Sequence, residues 1–352
     1  MPYCRTFCTY CSFYSERIAP CLDESRYGQY ASSVLAETDR RAAEIMATVG
    51  VDTLYIGGGT PSLLPEDELA AIVGRLDGLI HKGRRGMWTE FTLEANPEDI
   101  RERGMSYLSF LRQIGVTRLS MGIQSFDDSL LRMMNRRHDA KGAVEAFSML
   151  RRAGFNDISI DLIFGFQGLH GQVWSDTLHR ALDLSPEHIS AYQMTVEEGS
   201  ALYDMAAKGL YIEPSDSECR SQYDILCAEL RSAGYRHYEI SNFARPGYEA
   251  VHNSAYWTLN PYVGLGPGAH SASAGQDGLI RFRSWNTPSS VGYKQEGEVL
   301  DEEDIRVEKI MLGLRTDTGI DPTLLPTGPR SRLIEEKALI YTASGRVRIP
   351  ED

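Results

Sequence analysis

From residue 53 to about residue 194, short β-branched or apolar runs alternate with longer stretches whose apolar residues recur every three to four positions. The short runs predict strands near Thr53–Ile56, Glu90–Glu94, Arg118–Gln124, Ile158–Phe164 and His188–Met194. Between them, Leu69, Ile72, Val73 and Leu76 keep the helical period, as do Trp174, Leu178, Ala181 and Leu182, so each helix offers one apolar stripe to a sheet. Strands that alternate with helices imply parallel pairing through helical crossovers, and hence an α/β fold with a curved or closed sheet. Polar residues stand at the C-terminal ends of these strands: Gly57–Thr60, Glu94–Asn96, Gln124–Ser125 and Asp161. In parallel α/β barrels that rim is where ligands bind.

After about residue 200 the rhythm changes. A helical stretch near Asp216–Ala233 precedes an aromatic and glycine-rich run from Tyr235 to Ser273. A further helical segment, Glu302–Leu314, leads to a short tail with strand-like pieces such as Arg346–Ile349. The expected organisation is a barrel over residues 1–200 and a smaller α+β region over residues 201–352 that ends in a short tail domain. No repeat or low-complexity linker marks the boundary.

The 352 residues and a hydrophobic fraction of 42% suffice for an ordinary globular core. Acidic residues outnumber basic ones by 49 to 36, a formal charge of −13 that repels a phosphate backbone and argues against nucleic acid as a partner. No apolar run has the length of a membrane span, and the N-terminus lacks a basic-then-apolar signal pattern, so a soluble cytoplasmic protein is expected.

Three of the six cysteines, Cys4, Cys8 and Cys11, form a C-x3-C-x2-C cluster near the N-terminus. That spacing lets one loop bring three thiolates to one iron–sulfur cluster, and three ligands on a four-iron cluster leave one iron for an exogenous ligand. A structural zinc site is the alternative. It would want four ligands, commonly two C-x2-C pairs, and the sequence offers no second pair, only Cys21 as a distant fourth ligand. Cys219 and Cys227 fall in a helical stretch where small buried thiols are common. The glycines before Thr60 let a ligand approach backbone groups closely, but a glycine run is equally a tight strand-to-helix turn. Glu94, taken alone, reads as a solvated charge at a strand end.

The motif C-x3-C-x-Y-C followed by GGGTP, with LEANP at Leu93–Pro97, GIQSF at Gly122–Phe126 and DLIFG at Asp161–Gly165 in that order, resembles the radical SAM superfamily. Within it, the sequence is similar to the oxygen-independent coproporphyrinogen III oxidase-like branch, from Pro2 to about Leu314. The resemblance implies a partial (β/α)6 TIM-like barrel and a [4Fe–4S] cluster on Cys4, Cys8 and Cys11, with S-adenosylmethionine (SAM) on the open iron. It implies that Gly58, Gly59 and Thr60 meet the amino acid end of SAM, and that Glu94, Gln124, Arg136 and Asp161 occupy further SAM-site positions. Thr60 is also placed to cap the following helix. Two plainer roles stay open: Arg136 as one charge in the Arg132–Arg137 cluster, and Asp161 as the partner of a base inside the barrel.

The segment His252-Asn253-Ser254-Ala255-Tyr256-Trp257 resembles the HNxxYW motif of heme chaperones of the HemW type. Imidazole can ligate heme iron, and Tyr and Trp offer flat surface with polar edges to a porphyrin. A histidine beside aromatics is also commonly a structural hydrogen-bonding post. Pro261 and the glycines at 264, 266 and 268 suggest an irregular loop able to fold over a planar ligand, with His270 as a second candidate ligand.

Within the branch, the similar oxidases carry another cysteine two residues after the third cluster cysteine, and an N-terminal extension. Here Phe13 stands at the first position and the extension is missing, so the resemblance favours heme binding and delivery over porphyrinogen decarboxylation. The alternative is a coproporphyrinogen III oxidase or a related tetrapyrrole-modifying enzyme, for which an electron passed through the cluster would cleave SAM to a radical that abstracts hydrogen. No catalytic residue is singled out. The implied cofactors are a [4Fe–4S] cluster, SAM and heme. The implied partners are heme or porphyrin, a heme-acceptor protein, an electron donor such as a flavodoxin or ferredoxin, and peripheral contact with membrane acceptors. The chain starts three residues before Cys4, so the first barrel strand and a SAM-contacting tyrosine of relatives are expected to be missing. FQGLHGQ at Phe166–Gln172 departs from the GLPGQT-like turn of relatives, and the C-terminus stops early.

Overall fold

A computed structural model describes residues 1–18, 24–48, 52–83, 87–290 and 292–350. Cys21 lies outside the described residues. The five strands expected from the sequence are all present: β1 (Thr53–Ile56), β2 (Glu90–Ala95), β3 (Arg118–Gln124), β4 (Ile158–Phe164) and β5 (His188–Gln193). They pair in parallel in that order and form a curled half-barrel.

Helices connect each neighbouring pair and cover the outer face: α1 (Glu66–Ile80), α2 (Pro97–Gln113), α3 (Ala140–Arg152) and α4 (Gly171–Asp183). The sequence stripes do what their period implies. Leu69, Ile72, Val73 and Leu76 of α1 are buried, as are Trp174, Leu178 and Ala181 of α4. The strands contribute apolar residues at alternate positions, such as Phe91 and Leu93, Leu119 and Met121, Ile158 and Ile160, all inaccessible to solvent.

The intervening positions are different in kind. Thr92 and Glu94, Arg118 and Ser120, Ser159 and Asp161, and His188 and Ser190 line the cavity enclosed by the curl. Successive strand side chains point to opposite faces, so this period-two polarity makes a dry outer layer and a polar interior. The packed interior of a full α/β barrel is thus replaced by a ligand-sized hollow.

After residue 200 the chain adds α5 (Asp216–Ser232) and an antiparallel pair, β6 (Arg236–Glu239) and β7 (Asn242–Ala244). β7 pairs with β5, so the seven-stranded order is β1-β2-β3-β4-β5-β7-β6. The sheet therefore continues past residue 200. A three-stranded antiparallel sheet, β8 (His270–Ala274), β9 (Ile280–Asn286) and β10 (Gln295–Val299), is followed by the helix Glu302–Gly313 and a two-stranded tail, Ile340–Tyr341 with Val347–Arg348.

One expectation of irregularity is corrected: residues 251–257 are a helix, α6 (Val251–Trp257). The Glu90 carboxylate accepts the amide protons of Val251 at 2.8 Å and His252 at 3.2 Å, satisfying two donors that a helix start leaves open. Pro261 and the glycines lie beyond the last turn, which is capped at Thr258 and followed by Leu259 at φ 55°.

Candidate functional site

Cys4 ends the first of two short parallel strands, Tyr3–Cys4 and Glu16–Arg17, and Cys8 and Cys11 sit on the loop that joins them. The loop is strapped to the turn after the helix Asp128–Met133. Thr9 donates its amide to Met134 O at 3.2 Å and its hydroxyl to Met133 O at 3.0 Å. Asn135 donates to Phe7 O at 2.7 Å, from a left-handed backbone (φ 58°) that asparagine tolerates. From the other side Leu202 donates to Thr9 O at 2.7 Å. All three sulfurs open onto one cavity of about 1100 Å³.

Arg136 and Thr60, both on the cavity wall, meet those sulfurs. Arg136 donates to Cys8 Sγ at 3.3 Å and, through Nη2, to Asn96 Oδ1 at 2.6 Å and Gly122 O at 2.8 Å. It is a fixed, enclosed cation beside the cluster loop, more than one charge in a surface run. Thr60 donates to Cys4 Sγ at 3.5 Å. Its side chain makes no cap bond to the short 3-10 turn Pro61–Leu63 that follows, so the expected capping role is corrected. Burial pushes the Cys4 and Cys11 thiols up, a cost that cluster iron would relieve by binding the thiolates.

The glycine loop is close-fitting for a reason. A Cβ at Gly59 would lie 2.7 Å from Tyr3 O and 3.1 Å from Cys4 Sγ, and one at Gly57 would lie 2.7 Å from Glu94 Oε1. Gly58 has φ +110°, a conformation that side chains disfavour, and its N–H donates to Glu94 Oε2 at 3.1 Å. Glu94 also accepts the Tyr55 hydroxyl at 2.6 Å. Burial pushes its carboxyl up to about 7, with Asp161 adding to the rise and the Tyr55 and Gly58 donors opposing it.

Gln124, at the end of β3, holds φ 68° at a register shift against β4. Such strain in a non-glycine residue clusters at ligand sites. Asp161 accepts Ser120 at 3.2 Å and pairs with no base among the described residues, so the plainer role left open for it gives way to a hydroxyl contact. Burial raises its carboxyl above the usual range.

The structure thus brings Cys4, Cys8, Cys11, Gly58, Gly59, Thr60, Glu94, Gln124, Arg136 and Asp161 around one cavity. No three or more His, Cys, Asp or Glu side chains gather at single-ion spacing among the described residues. Three thiols opening onto one cavity suit a four-iron cluster with one iron left open, whereas a closed structural zinc site wants four ligands. The buried Arg136 Nε has no partner among the described residues, in keeping with a site shaped for an additional acceptor.

His252, Tyr256 and Trp257 do not join this rim. They lie on α6 beside Thr53 and Glu90, at the N-terminal ends of β1 and β2. His252 Nδ1 is 2.8 Å from Thr53 Oγ1 and Nε2 is 2.8 Å from the Tyr256 hydroxyl. Burial lowers its pKa, which keeps the ring neutral, the form that binds metal. Both nitrogens are engaged, so an iron at Nε2 would replace the Tyr256 contact. Tyr256 is exposed and Trp257 half-buried.

Sequence reasoning missed Tyr55, Arg118 and His188, which also line the cavity. The alternation of polar and apolar residues within β2 to β5 was the available signal.

The radical SAM superfamily model matches residues 1–181. The heme chaperone HemW of Bacillus subtilis is 32% identical over 329 residues, 91% of this chain and 83% of that protein. The mitochondrial radical S-adenosyl methionine domain-containing protein 1 of Bos taurus is 32% identical over 331 residues, covering 91% and 72%. Among solved structures, the coproporphyrinogen III oxidase HemN of Escherichia coli superposes with a TM-score of 0.75 at 20% identity, over 99% of this chain and 85% of that one, a likeness of fold.

Proposed function

This chain belongs to the radical SAM superfamily, and on that premise we propose that it is a heme chaperone that holds a [4Fe–4S] cluster and SAM and passes heme to an acceptor protein. The observation that carries the reading is similarity to proteins named heme chaperone along 91% of the chain, well beyond residue 181 and through α6. Cys4, Cys8 and Cys11 would hold the cluster, with Arg136 offsetting thiolate charge at Cys8. Gly58, Gly59, Thr60, Glu94, Gln124 and Asp161 would hold SAM, Glu94 offering a carboxylate to its ammonium or ribose.

The cluster and SAM together supply one-electron chemistry when bound. The chain's own part is to orient and enclose: Arg136 fixes Cys8 and Asn96, Tyr55 keeps Glu94 in place, and α6 presents a neutral imidazole. His252 would ligate heme iron, with Tyr256 and Trp257 against the macrocycle. A flavodoxin or ferredoxin would supply electrons, the cytoplasm is the proposed location, and residues 201–352 are assigned to heme handling, with acceptors that include membrane proteins touched peripherally. No helix among the described residues is long and apolar enough to cross a membrane.

The test is anaerobic reconstitution, followed by hemin titration and transfer to apomyoglobin read at the Soret band. Saturable 1:1 binding with transfer is expected. Absence of binding, or sustained SAM-dependent conversion of coproporphyrinogen III to its divinyl product despite Phe13, would replace this reading with the enzyme one.

A further inference from the structure

Arg118 opens β3 at the floor of the half-barrel, on the face that lines the cavity. Its register partner is Thr92, two residues before Glu94, and Gly122, whose carbonyl receives Arg136, lies four residues further along the same strand. At the rise of a β-strand, Arg118 is thus about 13 Å below the level of Gly122. The residue is 2% exposed. Nη1 donates to Asp157 Oδ1 at 2.7 Å and to Tyr248 O at 3.2 Å, whereas the buried Nη2 has no partner among the described residues.

The neighbouring floor groups Glu90 and His188 are engaged with other partners. Glu90 accepts the amides of Val251 and His252 and the hydroxyl of Thr92. His188 has Nδ1 2.8 Å from Ser159 Oγ and Nε2 2.8 Å from the Tyr238 hydroxyl. An enclosed guanidinium arm without an acceptor is costly, and natural structures rarely leave one that a ligand or water does not meet.

We propose that the Nη2 arm of Arg118 anchors a carboxylate of an organic ligand held in the half-barrel below the SAM position. A guanidinium matches a carboxylate in geometry and charge. A phosphate dianion fits less well, since Glu90, Glu94 and Asp161 line the same cavity and repel a second negative charge. The hollow is large enough to keep such a ligand between the cluster loop and the floor. The choice of ligand rests on the heme reading above: a tetrapyrrole carries propionates, and one of them would enter the hollow to Arg118 while the macrocycle stays at α6, whose flank at Ala250 and Asn253 lines the same cavity.

The experiment uses anaerobically reconstituted, SAM-loaded protein with hemin and hemin dimethyl ester, which share a macrocycle and differ in their carboxylates. Wild type is expected to prefer hemin by about tenfold or more, the worth of one charge-assisted hydrogen bond. Arg118→Met should bind both alike at the diester level. If Arg118→Met does not fold, Arg118→Lys, which keeps a cation for Asp157 but not the second arm, should show a reduced preference. Equal binding of acid and diester by wild type, or an undiminished preference in a folded variant, overturns the proposal. If wild type binds neither tetrapyrrole, the heme reading fails separately, and Arg118 is then decided by saturation-transfer NMR with glutarate on the same SAM-loaded protein. A glutarate signal lost in the Arg118 variant supports the anchor, and no signal in wild type removes it.

Discussion

The ring of Tyr55 lies against that of His252, centroids 5.1 Å apart and planes 25° from parallel. Its hydroxyl meanwhile donates to Glu94 at the opposite end of β2. One side chain therefore touches both the candidate SAM carboxylate and the candidate heme ligand. Tyr55→Phe keeps the stack and removes the donor. The expected outcome is SAM binding weakened several-fold, on the scale of one hydrogen bond to a charged group, with hemin affinity nearly unchanged in the absence of SAM. Isothermal titration with each ligand measures both, and unchanged SAM affinity would exclude Tyr55 from the site.

Glu94 makes a pH prediction whose sign follows from its direction. Its pKa rises from 4.5 to about 7 in the folded protein, so the folded state keeps a proton that the unfolded chain releases. The resulting penalty is absent below about pH 4.5, grows between 4.5 and 7, and is constant above, reaching at most about 3 kcal/mol. Without SAM, Glu94→Gln should gain stability over wild type across that window and no further beyond it. SAM, bearing ammonium and sulfonium, should select the ionised carboxylate, so wild-type SAM affinity should climb towards pH 7 while that of Glu94→Gln stays low and flatter. Urea melts and SAM titrations from pH 5 to 8 check both, and parallel pH profiles for the two proteins would contradict the assignment.

Much of this site was legible because its chemistry is local. Cys4, Cys8 and Cys11 share one short segment, and the glycines precede Thr60 directly after β1, so spacing and strand position sufficed. Arg118, Tyr55 and His188 were not legible in that way. Each is a single polar residue in a strand, and only the curl of the sheet decides that its face encloses a cavity instead of meeting solvent. The helix at 251–257 was misread for a related reason: its start depends on Glu90, more than 160 residues earlier in the chain. β6 and β7 escaped because two strands of four and three residues around a turn carry almost no periodicity.

The cluster assignment predicts about four irons per chain after anaerobic reconstitution, and loss of charge-transfer absorbance in Cys8→Ala. Gly59→Ala is the more discriminating variant, because it leaves every cysteine in place and drives a Cβ towards Cys4 Sγ and Tyr3 O. It should cost about 1–3 kcal/mol of local strain and lower iron content markedly while far-UV circular dichroism stays native. Stoichiometric zinc with no cluster absorbance in wild type would overturn the assignment.

The proposed role of His252 as heme ligand can be tested through its hydrogen bonds. The imidazole is neutral and half-buried, and its Nε2 is engaged by Tyr256, so ligation of heme iron there would exchange that hydrogen bond for iron. The exchange makes Tyr256→Phe informative: removing the competing hydroxyl should leave hemin affinity equal to wild type or a few-fold tighter, since no bond has to be broken first. His252→Ala should instead weaken hemin binding at least about tenfold and shift the Soret band, because a ligand has been lost. It also removes the partners of Thr53 and Tyr256 and the stack on Tyr55, so a stability loss of about 1–3 kcal/mol accompanies it under either role. Stability therefore cannot separate ligand from hydrogen-bonding post, and the spectrum can. A folded His252→Ala protein with wild-type hemin affinity and an unchanged Soret band would assign His252 to structure alone and move the search for the iron ligand to His270, at the start of β8.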